Sequence, residues 1–233
     1  MKFVLTLLTS LLFSTCALAN TLEADVSRYI QIFSGDKSLQ SDAADTLSWM
    51  GLSDPRLFDV IEKDLQQADL KDKNLVGRYI RALGFSGQPK YLLTLQPFLD
   101  NPTYRRFAKA AFDDQPHYQR WNPIISNRAT FDARYSDDVN RIRNMLQSND
   151  LALKEVGAKR VYFLNKDEVL LDLLAVNVKN NYTNTNSSES DSIAWMVKAL
   201  GSAKNPKYRP LLEEVADKAS SSQIRRHATS SLK

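Results

Sequence analysis

The sequence repeats itself, and a chain that repeats at this spacing has few folds open to it. Ala82-Leu83-Gly84, four residues, then Pro89-Lys90-Tyr91 returns as Ala199-Leu200-Gly201, four residues, Pro206-Lys207-Tyr208, at an offset of 117. In the same register Val76, Ile80 and Arg81 meet Ile193, Val197 and Lys198. Downstream, Tyr104-Arg105-Arg106-Phe107-Ala108 answers to Ile224-Arg225-Arg226-His227-Ala228 at offset 120, and Phe112 to Leu232. Upstream, Asp25-Val26-Ser27-Arg28 answers to Asp138-Val139-Asn140-Arg141 at offset 113, which sets Leu57, Val60, Ile61 and Leu65 on Leu170, Leu173, Leu174 and Val178. Blocks that keep their order while their offsets drift by a few residues are what duplication followed by loop insertion leaves. The copies cover 24–112 and 137–232. The organisation this predicts is a leader at 1–19, a first copy at 20–112, an unrepeated connector at 113–136 and a second copy at 137–233.

The periodicity within each copy is helical. Leu57, Phe58, Ile61 and Leu65 form one apolar stripe, with Arg56, Asp59, Glu62 and Lys63 outside it. Asp54-Pro55 and Asn205-Pro206 read as helix starts, a capping side chain followed by a proline in the first turn. Gly51, Gly84 and Gly201 read as helix ends in the left-handed conformation, and Pro97 and Pro210 are expected to kink the helices that hold them. No segment alternates long enough to argue a sheet, and only 7 glycines are present to turn one. The fold class predicted is all-α.

Two of these features resemble the HEAT-repeat family, including its bilin-lyase-like branch. Asp100-Asn101-Pro102-x-Tyr104-Arg105-Arg106-x-Ala108 is similar to that family's Asp-Pro-x-x-Val-Arg-x-x-Ala helix start, and the Ala-Leu-Gly…Pro turn is similar to the one closing its hairpins. The resemblance implies a right-handed α-solenoid of helical hairpins whose inner surface binds proteins or peptides. The lining it implies comes from the polar faces of the helices starting at Asp54, Pro89, Asp167 and Pro206. The pattern departs at Asn165-Lys166-Asp167-Glu168, which stands where Gly and Pro are expected.

The first residues predict export. Met1-Lys2 is followed by an apolar run from Phe3 to Phe13 and a small-x-small site, Ala17-Leu18-Ala19. Cleavage after Ala19 leaves a chain without cysteine, which suits a bacterial periplasm; the alternative is a lipoprotein acylated at Cys16. No later run is long and apolar enough to span a bilayer. The net charge of +4, without runs of like charge, argues against nucleic acid.

For function, the sequence points to an adaptor that binds another envelope or secreted protein. Tyr118 and Trp121, in the aromatic connector with His117, Phe131 and Tyr135, are candidate partner anchors. Arg105 and Arg106 are a candidate site for an acidic partner. No phosphate loop, zinc-protease helix or nucleophile elbow is present, and 2 His with 1 Cys assemble no zinc site of the usual type, so no cofactor or metal is expected. Paired carboxylates of an enzyme on the same scaffold remain the alternative.

Overall fold

The computed structural model describes residues 22–186 and 189–233. The export signal, its cleavage site and Cys16 lie outside the described residues. The chain divides into two compact units, Met1–Ala129 and Thr130–Lys233. All regular structure among the described residues is helical.

In the first unit, α1 (22–33) is followed by α2 (Lys37–Met50), α3 (Pro55–Gln67) and α4 (Lys73–Phe85). The four-residue α5 (Leu92–Leu95) comes next, between two 3-10 turns, and α6 (Arg105–Ile125) ends the helical part of the unit. In the second unit, α7 (Asp137–Gln147), α8 (Leu151–Phe163) and α9 (Glu168–Asn181) precede α10 (Ser190–Ser202), α11 (Arg209–Lys218) and α12 (Ser222–Ser231). Each unit has two layers. The even helices pack on one another, α2 on α4 on α6 and α8 on α10 on α12, while α3, α7, α9 and α11 each lie against the even helix that follows. Leu57, Phe58, Ile61, Val76, Ile80 and Leu83 lie in the first core, and Leu170, Leu174, Ile193, Val197 and Leu200 in the second, all but fully buried.

The helix starts follow the expectation. Asp54 accepts from the Arg56 N–H at 2.9 Å and Asn205 from the Lys207 N–H at 3.0 Å, each just before its proline. Four other readings need correction. Gly51 is left-handed, with φ 69°, but Gly84 and Gly201 sit inside α4 and α10. The left-handed residues come three positions later, Gly87 at φ 69° and Lys204 at φ 51°. The hairpin phase shifts by one helix: these turns lead to the next hairpin, because Asp54, Gln88 and Asn205 are extended and carry the chain across. Pro97 and Pro210 sit in the first turn of their elements, where a missing N–H costs nothing, so neither kinks a helix. Residues 113–125 of the connector are no separate module but the continuation of α6, with Pro116 and Pro123 inside it.

That continuation explains two of the glycines. A Cβ on Gly51 would lie 2.8 Å from the Ser126 nitrogen, and one on Gly87 would lie 2.6 Å from the Gln119 nitrogen. Gln115 Nε2 donates to the Gly87 carbonyl at 2.7 Å, and Asn122 Nδ2 to that of Phe85 at 2.9 Å. The long α6 thus covers the ends of α2 and α4 and leaves no room for a side chain at either turn. Lys204, exposed to solvent, is under no such cover.

Candidate interaction surface

The repeated motif is largely structural in its use. Lys90 and Tyr91 both clamp Asp59 on α3, Nζ at 2.6 Å and the hydroxyl at 2.7 Å. Lys207 and Tyr208 clamp Asp172 on α9 in the same way, at 2.7 and 2.8 Å. The hydrogen bonds from Lys90 and then Tyr91 hold Asp59 below the usual carboxylate range, as those from Lys207 and Tyr208 do for Asp172. Burial, and then the Asp172 hydrogen bond, push the Tyr208 hydroxyl up to about 12. The motif's glycine marks a helix crossing. A Cβ on Gly84 would meet Ala111 at 2.7 Å, and one on Gly201 would meet Ser231 at 2.1 Å.

Of the four residues expected to bind a partner, the two aromatic ones lie inside the unit. Tyr118 and Trp121 are only 4% and 6% exposed. Their rings meet edge to face at 5.2 Å, Tyr118 packs tilted against Phe85 at 4.8 Å, and its hydroxyl donates to the Ser48 carbonyl at 2.9 Å. They are core rings rather than partner anchors, because the extension of α6 turns them inward. His117 leans on Trp121 at 5.0 Å. Arg105 spends its Nε on the Leu99 carbonyl at 2.8 Å, as Arg225 does its guanidinium on those of Ala219 and Ser220. Arg105 and Arg106 are both exposed, and Arg106 lies over the Phe107 ring at 5.3 Å.

The even layers of the two units differ in a way the sequence reading missed. In the first unit the two arginines of α4 are neutralised: Arg78 pairs with Asp45, and Arg81 with Asp114 at 2.6 Å. The N-caps Asp36 and Asp150 align α2 with α8 at offset 114, which places Asp45 on Lys159. The 117 register places Arg78 on Trp195 and Arg81 on Lys198. In the second unit these positions make an aromatic cluster. Trp195 meets Tyr162 edge to face at 5.8 Å and Phe163 at 6.2 Å. Lys198 Nζ stands 4.2 Å from the Trp195 ring centre and 4.5 Å from that of Tyr162, and Lys159 Nζ 5.2 Å from Trp195. Phe163 and Leu164, at the end of α8, are 66% and 65% exposed. Large apolar side chains left this open beside a tryptophan are the mark of a contact surface.

Its charges are unequal. Glu155 is spent on Lys159 at 2.7 Å and on the Ser192 hydroxyl at 2.8 Å, and Asp191 on Gln223 at 2.6 Å. No carboxylate pairs with Lys198 among the described residues, and α12, Ser-Gln-Ile-Arg-Arg-His-Ala-Thr-Ser-Ser, carries none. Burial first, then the charges of Arg226 and Lys198, hold the His227 imidazole below its ordinary range. The surface is therefore a platform of three rings with Lys198 held over two of them and the exposed Arg226 nearby, while the charge of Asp191 also reaches His227 with the opposite sign. Among the described residues no group of His, Cys, Asp and Glu is disposed to hold a metal ion, and no helix is long and apolar enough to cross a membrane.

Fold and surface together define a helical-hairpin repeat protein. No protein-family model and no curated protein sequence matches the chain. Among solved structures, human deoxyhypusine hydroxylase in complex with glycerol is similar at 16% identity, over 89% of this chain and 83% of that one, with a TM-score of 0.38. A superposition that loose adds nothing to the fold the helices define.

Proposed function

We propose that the chain is a protein-interaction module with a HEAT-like scaffold, that its two units are duplicated copies, and that it works after export from the cytoplasm. The observation that carries the binding role is the open ring cluster on α8 and α10. Phe163 and Leu164 stay 66% and 65% exposed next to each other, and the Phe163 ring lies against those of Tyr162 and Trp195. Helical-hairpin repeats bury their cores between neighbours and present long faces to partners, so one face can diverge without harm to the stack. The export half of the reading rests on the leader pattern of the sequence, from Met1-Lys2 to Ala19.

A photoreactive phenylalanine analogue at Phe163 tests the binding role in living cells, with the same analogue at Leu39 as control. Leu39 is another exposed apolar residue, at 59%, but lies on α2. A discrete protein adduct at Phe163 and none at Leu39 is expected. Equal or absent labelling at the two positions removes the role.

A further inference from the structure

We propose that the partner segment docking on the α8–α10 surface is acidic and carries an aromatic or aliphatic side chain among its carboxylates. This rests on the interaction-module reading and goes on to name the chemistry that the module takes.

The argument is one of charge complementarity. Both arginines of α4 in the first unit have an acid on a neighbouring helix, Asp45 for Arg78 and Asp114 for Arg81. The second unit holds Lys159 where Asp45 would be, itself paired with Glu155 at 2.7 Å, and has no acid on α12 to reach Lys198. Lys198 is instead held by two rings, at 4.2 and 4.5 Å, which steady an ammonium without cancelling its charge. Arg226 adds a further exposed cation on α12; it and Lys198 both act on His227, outweighing Asp191, which acts with the opposite sign. An incoming carboxylate would meet Lys198, a lysine already fixed in position by its two rings. Phe163, Leu164 and Trp195 would meanwhile receive an apolar side chain. Positive charge beside open rings favours a peptide carrying both features over a neutral apolar one, since like or absent charge leaves Lys198 desolvated without a partner.

The test is selection of random displayed peptides on the immobilised soluble chain, with the best peptide resynthesised and measured against variants. Enriched peptides are expected to carry net negative charge with Phe, Trp or Leu. Lys198→Glu should weaken the best one by about tenfold or more, and added salt should weaken it too. Arg78→Ala, at a neutralised arginine of α4, should leave it unchanged. Lys198 is half-buried rather than part of the core, so its reversal keeps the test open even where Trp195→Ala disturbs packing; circular dichroism confirms the helices in each variant. Neutral or basic enriched peptides, or binding indifferent to Lys198→Glu, would overturn the acidic partner while leaving the module standing. Sedimentation with phosphatidylglycerol vesicles in a Lys198-dependent way, without peptide enrichment, would make the surface a lipid contact and end both readings. Absence of any binding ends both as well.

Discussion

At single positions, the same register serves two purposes. Arg78 and Trp195 hold equivalent places, yet one is tied to Asp45 and the other lies in an open cluster of rings. His227, beside that cluster, reports on its charge. Burial and neighbouring cations hold its folded-state pKa below the ordinary 6.5. A depressed histidine binds fewer protons folded than unfolded, so its contribution to stability is whole above 6.5 and is lost as pH falls through the folded value. The expected result is a urea midpoint that declines on acidification in this range and declines less in His227→Gln; parallel curves for the two would contradict it. Neither the pairing of Arg78 nor the burial of His227 could be read from the chain, because both depend on which helix lies alongside.

At the level of elements, α6 is the clearest departure from the sequence-based expectation. Its start, at Arg105, coincides with the repeated Arg-Arg block, but the helix continues to Ile125 through two prolines. Prolines and an unrepeated composition suggested a connector; tertiary contacts overrode that local signal. Asn122, Gln115 and Tyr118 each hydrogen-bond to backbone at the ends of α2 and α4, which offsets the two missing N–H groups. Trp121→Ala should therefore cost about 3–5 kcal/mol of stability, as removal of a buried ring does, and should be visible as a lowered denaturant midpoint. A variant with an unchanged midpoint would return Trp121 to the role of a surface anchor. The clamps on Asp59 and Asp172 show the reverse case. Their Pro-Lys-Tyr motif was plain in the sequence, and only the acid it grips, an earlier helix away, was hidden.

For the whole molecule, the all-helical fold class was legible without coordinates. Export is an expectation of the same origin, and it has a direct check. The chain recovered from a secreting host should begin at Asn20 by N-terminal sequencing; an uncleaved Met1, or a lipid-modified Cys16, would replace it with retention or with an acylated anchor. The sequence by itself determined that short amphipathic helices must stack in two sets, because a 3.6-residue apolar stripe and a repeated block are properties of neighbours along the chain. Which glycines turn and which mark a helix crossing, which rings are swallowed by α6, and which cations lack an acid were decided only by the tertiary structure. Burial and charge compensation are relations between residues more than thirty positions apart, and no local pattern encodes them.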